Sequence, residues 1–379
     1  IARLNSILKK IDISFLPISL SVEKIPYLSP LKKILSPLIA LIIGLLIGAI
    51  LILLAGSNPL VAYRALYQGT FGSLDSFAEV LIKAIPLVIV GMGIAIAFQA
   101  RFWNIGGEGQ ILMGAIMATW IGTMELLPAG LMLPLILIGS FVAGYIWGSI
   151  AGILKSKFGL NEVIVTIMLN YIAIYFQIYM VRGPLIDKSM PFWPMSEYIS
   201  SYAFLPRLLS TTRLHAGLFL AIGVIIVAWI ILYHLPFGYK IKAIGLNPCA
   251  AQYGGINVGR TLILTVGLSG GLAGLVGANE ICGVHHRLLD NISAGYGYTA
   301  IVVAVLGHLR PLGVLTAGFF FGALIVGADA MKQIAATPAA LVLVFQGMIL
   351  ILFLVVDVYF HYRIHIHSKK KERNSFDTG

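Results

Sequence analysis

Asn104, Glu108 and Gln110 stand within seven residues of one another in ARFWNIGGEGQ, Ala100 to Gln110. One carboxylate and two carboxamides at that spacing suit hydrogen bonding to a polar solute in an aqueous path. Gly106 and Gly107 between them favour a turn or a broken helix. Glu108 then falls in the first turn of the next helix, where a carboxylate suits the helix dipole. Phe102 and Trp103 offer ring faces for stacking, or anchors at a membrane interface. The plainer reading is a capped loop at the membrane surface. A second group lies in GYGYTAIVVAVLGHLRP, Gly295 to Pro311, where Tyr296 and Tyr298 precede a short apolar run. The ends of such half-helices often face transported solutes.

Other residues invite other chemistry. Gly267-Leu268-Ser269-Gly270 matches a GxSG serine-protease pattern, with His285, His286 or His308 as a base. Four residues in a glycine-rich helix make a weak motif. Close helix packing through Gly267, Gly270, Gly271, Gly274 and Gly277 is the simpler reading. The pair Gly-Lys never occurs, so no ATP-binding P-loop is present. His361, His365 and His367 alternate beside Lys369 to Lys371 and read as a solvated basic tail rather than a metal site. Glu280, Asp290, Asp329 and Asp357 are expected near span ends, so no proton or sodium relay stands out. No catalytic residue, metal site or cofactor is expected in this chain.

The elements that must position these residues are membrane spans. The 379 residues are 59% hydrophobic and 11% charged, with mean hydropathy +0.95. Apolar runs of about 18 residues or more recur along the chain, each long enough to cross a bilayer as a helix. The expected spans are 37–55, 79–98, 111–127, 132–153, 163–181, 214–233, 260–281, 312–328 and 339–359, with a short run at 298–306. The fold class is thus an all-α polytopic membrane protein of about ten spans, one of them a half-helix. The polar breaks after the second and seventh spans suggest an inverted repeat. The first break is expected near the cytoplasmic end, the second near the outer end.

Residues 1–36 read as a basic amphipathic cytoplasmic tail, 37–359 as the transmembrane domain and 360–379 as a basic cytoplasmic tail. With Ile1 in place of methionine a clipped start is expected, and the first 36 residues carry no small-residue cleavage site after an h-region. With this topology 18 of the 26 Lys and Arg residues lie on the cytoplasmic side, as the positive-inside rule requires. The net charge of +11 therefore reports orientation, not nucleic-acid binding. Cys249 and Cys282 fall on opposite sides and are not expected to pair.

The loop YKIKAIGLNPCAAQYGGINV, Tyr239 to Val258, holds a short capped helix. Asn247 suits the N-cap, Pro248 the first helical position, and Gly254 or Gly255 the end. Such a helix in a basic cytoplasmic loop is either a docking knob, centred on Ala250 and Ala251, or an interfacial helix lying on lipid.

Four stretches carry a resemblance: RFWNIGGEGQILMGA (Arg101 to Ala115), NEVIVTIMLNYIA (Asn161 to Ala173), AIGLNPCAAQYGGI (Ala243 to Ile256) and GYGYTAIVVAVLGHLRPLG (Gly295 to Gly313). Their order and spacing resemble permease subunits of bacterial ABC importers in the ribose/branched-chain-amino-acid-type family, nucleoside branch. The resemblance covers about 37–359, without the N-terminal tail or the loop Arg182 to Thr212. It implies a type II importer fold, two permeases around a pore, two cytoplasmic ATPases carrying the ATP-Mg, and an extracytoplasmic binding protein or lipoprotein. It also implies the cytoplasmic (inner) membrane as location, a translocation path past Phe102, Asn104, Gly106, Gly107, Glu108, Gln110, Tyr296 and Tyr298, and a coupling segment of Asn247, Pro248, Ala250, Ala251, Gly254 and Gly255. The solute is most simply a nucleoside, with a pentose-type sugar or flavin as alternatives. An ion-coupled secondary transporter is the reading from a different class. Where many relatives have Phe-Asn-Ile-Gly, this chain sets Trp103 beside the asparagine.

Overall fold

The structure, a computed structural model, describes residues 18–24, 30–124, 128–190, 192–335 and 338–368. Its helices follow the apolar runs: α1 (Pro30–Leu54), α2 (Pro59–Phe71), α3 (Leu74–Gln99), α4 (Gly107–Gly122), α5 (Ala129–Phe158), α6 (Glu162–Arg182), α7 (Gly217–His234), α8 (Pro236–Leu246), α9 (Pro248–Tyr253), α10 (Val258–Glu280), α11 (Tyr296–Leu306), α12 (Pro311–Ile334) and α13 (Ala339–His361). Six of these, α3, α5, α6, α7, α10 and α12, are long and apolar enough to cross a membrane, α10 together with the π-helical turn Ile281–His285 that continues it. Shorter apolar helices lie at Leu38–Leu54, Tyr296–Leu306 and Gly347–Phe360.

The chain divides into two compact units. One comprises residues 1–59 and 343–379. Within it α1 packs on α13 at Gly44, where an added Cβ would sit 3.0 Å from Ile349. Strands β1 (Ile18–Lys24) and β2 (Tyr362–Ser368) pair antiparallel, Ile18 opposite Ser368 and Lys24 opposite Tyr362. The fold is thus nearly all-helical rather than all-α, with one short two-stranded sheet between segments expected as basic tails. Ile-Ser-Leu-Ser-Val and Ile-His-Ile-His alternate with period two, which is the strand signal.

The other unit, residues 60–342, is built around α3 and α10. Eighteen residues of α3 are buried, from Ala78 to Phe98, and the stretch Ala84 to Phe98 is apolar all round because protein surrounds it. Helix α10 lies against α4 and α5, and small residues let the backbones touch. A Cβ on Gly114 would stand 2.1 Å from the Gly274 carbonyl, and one on Gly144 2.2 Å from the Gly270 carbonyl. Between helices that gain little from hydrophobic segregation in lipid, such close packing is the main attraction.

Asparagine caps fix where helices start. Asn161 accepts from the Val163 N–H at 2.9 Å, and Asn257 from the Arg260 N–H at 2.9 Å. The described residues of the loop after α6, expected at Arg182 to Thr212, form a cap. Its backbone bonds Ser200 to Gly122, Leu205 to Cys282 and Ser196 to Leu288, at 2.9, 2.9 and 3.0 Å. These contacts define the cap end of the unit, where α4 and α10 finish. At the opposite end α3 finishes beside α8, with Gln99 donating to the Leu309 carbonyl at 2.8 Å. Cys249 is exposed, Cys282 is buried, and both are free.

Candidate functional site

The two polar breaks meet. After α3 the chain turns through Arg101, held at φ +54°, and re-enters the interior before α4 begins at Gly107. After α10 and its π-helical turn, the chain passes Ala294 and Gly295, at φ +47° and +82°, before α11 begins at Tyr296. The N-termini of α4 and α11 then abut. A Cβ on Gly297 would lie 2.2 Å from the Glu108 nitrogen, so only glycine permits the contact. From this joint α4 runs to the cap end and α11 to the α8 end. The helices have 16 and 11 residues, about 24 and 16 Å, so neither crosses a ~30 Å hydrocarbon core alone. The second break therefore reaches the first inside the unit, rather than ending near the outer surface as expected. The π-helical turn and the loop that follows it give the chain the length to come back in.

Glu108 ties the joint. It is 6% exposed. Its carboxylate accepts from the Gly297 N–H at 2.9 Å and, through a very short contact, from the Ser293 hydroxyl. One side chain on α4 thus satisfies a free N–H at the start of α11, where the dipole favours a negative charge. Asn104, fully buried, donates to Ser269 on α10 at 2.9 Å and to Gln110 at 3.2 Å, and accepts from the Gly106 N–H at 3.0 Å. Gln110 donates back at 3.2 Å. Asn170 on α6 closes the set. It accepts from the Gly109 N–H at 2.8 Å and donates to the Ile105 carbonyl at 2.9 Å and to the Tyr298 hydroxyl at 3.3 Å. Irregular backbone inside a membrane protein needs such partners.

The other expected residues sort by exposure. Phe102 is fully buried, with the Lys155 ammonium 5.1 Å from its ring centre. Trp103 is 53% exposed and meets Phe98 edge-on at 4.7 Å, so the extra aromatic leaves Asn104 in place. Gly106 and Gly107 are buried in the joint. Tyr296 is buried and its hydroxyl accepts from Lys83 at 2.9 Å, whereas Tyr298 is 43% exposed. Ser269 is committed to Asn104. His285 and His286 lie sixteen and seventeen residues further along the chain, at the cap end, about 24 Å by helical rise, which dismisses a protease pairing with either. Glu280, expected near a span end, is the last residue of α10. It is 2% exposed, with His285 Nε2 at 3.7 Å and Asn279 at 3.5 Å. Thr166, Asn170 and Ser293 were not singled out. Asn170 lies within NEVIVTIMLN, and a carboxamide inside an apolar helix was its signal. Among the described residues no cluster of three metal-binding side chains occurs.

A family model described as the branched-chain amino acid transport system / permease component matches residues 76–354. The chain belongs to that permease family. The guanosine ABC transporter permease protein NupP of Bacillus subtilis is 36% identical over 82% of this chain and 90% of its own. The nucleoside ABC transporter permease protein NupB of Lactococcus lactis is 35% identical over 81% and 87%. The glucose ABC transporter permease protein TsgB13 of Haloferax volcanii is 32% identical over 87% and 90%. No solved structure matches.

In this permease the capped helix has the expected geometry. Asn247 accepts from the Cys249 and Ala250 N–H groups at 3.0 and 3.2 Å, and Pro248 takes the first helical position. Helix α9 is a single six-residue piece, and the Gly254 N–H returns to the Ala250 carbonyl at 3.0 Å. Gly255 at φ +81° then turns the chain out. Ala251 is buried, while Leu246, Ala250 and Tyr253 are exposed, Tyr253 at 95%. The helix is held from below by one small side chain and presents the rest outward.

Proposed function

We propose that this permease is the membrane subunit of an ATP-driven importer that moves a nucleoside. The observation that carries the reading is the pair of relatives named guanosine and nucleoside ABC transporter permeases, each about a third identical across more than four-fifths of the chain. A sugar is the second reading, favoured by the relative named a glucose permease.

In this account the chain crosses the membrane about ten times, with both termini cytoplasmic. It pairs with a second permease subunit, two ATPase subunits that supply all ATP chemistry, and an extracytoplasmic binding protein. Helix α9 seats in an ATPase cleft. Its cap at Asn247 and its exposed face at Ala250 and Tyr253 suit a rigid knob that transmits motion. Asn104, Glu108 and Gln110, with Gly106 and Gly107, hold the two half-helices together beside the solute path. Tyr298, half-exposed next to that joint, contacts the solute as it passes.

The test is uptake of labelled guanosine and of labelled glucose into proteoliposomes holding the complete complex. ATP-dependent guanosine accumulation that an ionophore leaves unchanged supports the proposal. Accumulation driven by an ion gradient without ATP overturns the importer class, and glucose uptake alone overturns the nucleoside.

A further inference from the structure

At the cap end, a cavity of about 590 Å³ opens between α2, α3 and α12. That volume falls within the range of about 300–1,000 Å³ typical of small-molecule sites. Its polar lining includes Gln68, Asp75, Glu79, Lys83, Arg213 and Asp329. Three features distinguish it from an ordinary surface cleft.

The first is its cations. Arg213 is held by both Glu79 oxygens, at 2.8 and 2.9 Å. Lys83 gives a hydrogen bond to Tyr296, and Lys332 nearby is bound to Asp329 at 2.7 Å. The three carboxylates Asp75, Glu79 and Asp329 are matched by three cations that each already hold a partner, so an anionic ligand gains no net attraction to offset its desolvation. The second feature is the absence of any ring. Among the described residues no aromatic side chain lines the cavity, so a nucleobase gains no stacking from them. Carboxylate and carboxamide acceptors facing ammonium and amide donors are the complement of hydroxyl groups, each of which donates and accepts.

The third feature is the floor. Lys83 lies on α3 within a spanning helix, where an ionisable side chain marks function more often than packing. Its ammonium reaches the Tyr296 hydroxyl, on the first residue of α11, and the next N–H along is the one Glu108 holds. A polar seam therefore runs from the cavity to the joint between the two half-helices.

We propose that this cavity is a solute site on the cap side of the joint, that it takes the hydroxyl-rich sugar moiety of a neutral solute, and that it rejects phosphorylated forms. The proposal rests on the importer reading and adds which part of the solute is recognised and where. Lys83 is the donor at the bottom of the site.

The test places a thiol at the rim by Ser76→Cys in the Cys249→Ser background, in the purified complete transporter. The rate of maleimide labelling is measured with ribose, with guanosine and with guanosine 5′-monophosphate. Ribose and guanosine are expected to slow labelling about threefold at twice their Kd, while the monophosphate leaves it unchanged. Lys83→Met is expected to abolish the protection without changing the unprotected rate, and Gln68→Leu to weaken it. Labelling that no solute slows, or that the monophosphate slows equally, overturns the site. If wild-type proteoliposomes still accumulate guanosine in that case, the importer reading stands and only the cavity assignment falls. Protection by ribose without any nucleoside uptake supports the sugar site and removes the nucleoside reading.

Discussion

The two breaks do the same job with different means. The first, between α3 and α4, takes seven residues and is closed by side chains from three helices: Asn104 and Gln110 inside, Ser269 from α10, and Thr166 and Asn170 from α6. The second, between α10 and α11, takes fifteen residues and includes a π-helical turn; Ser293 and Glu108 hold it at the joint, while Gln177 and Arg182 of α6 and Ser196 of the cap hold its outer part. Among the described residues, buried polar atoms without partners gather near the second break, Asn279 Oδ1, His215 Nε2, His286 Nδ1 and Asp290 Oδ1, against Gln99 Oε1 beside the first. A fully satisfied polar network rigidifies, whereas a partly satisfied one is easier to rearrange. The difference leaves the second break with more buried polar groups still to be satisfied than the first.

Substitutions break or sharpen this contrast in a predictable order. Gly297→Val drives a side chain into the Glu108 backbone. It is expected to cost more than about 3 kcal/mol and to abolish recovery of folded protein from detergent extracts. Glu108→Ala leaves the Ser293 hydroxyl and the Gly297 N–H without an acceptor, and Asn104→Ala strands Gly106 and Gln110. Each should lose about 2–4 kcal/mol in thermal unfolding and most of the ATP-driven uptake. Equal stability for either variant and wild type would dissolve the joint.

A smaller effect comes from pH in the cap, outside the spanning helices. Burial, then the nearby His286, pushes the His215 imidazole down to about 4, against partial opposition from Glu79. The folded state keeps His215 neutral while the unfolded chain protonates near 6.5. Stability therefore falls as pH drops from about 6.5 toward 4, by up to about 1.4 kcal/mol per unit from this group. His215→Phe should flatten that part of the melting curve. The smallest effect is expected at the cap surface. Arg182→Ala removes an ion pair to Asp290 at 2.8 Å whose arginine is 62% exposed, and should change stability by less than about 0.5 kcal/mol.

Much of this architecture is legible in the residues alone. Apolar length places the spans, and Asn247-Pro248 with Gly255 writes the start and stop of α9. The glycines of α10 announce close packing, which Gly270 and Gly274 deliver. What local pattern does not carry is pairing across distance. Glu108 looks like a helix N-terminal carboxylate for α4, and only the fold shows that it holds the N–H of a residue 189 positions away. Lys83 is not singled out by any local pattern, and its bond to Tyr296, 213 positions away, shows only in the fold. The tails illustrate the reverse: β1 and β2 carry a period-two signal in plain view, hidden by the basic residues around them.

The central claim is that Glu108 joins the N-termini of two half-helices. The most direct measurement is a double-mutant cycle of Glu108→Gln and Ser293→Ala on thermal stability of the purified complex. The account predicts a coupling energy of about 1 kcal/mol or more. Additivity within about 0.3 kcal/mol would contradict it, because the two side chains would then act independently.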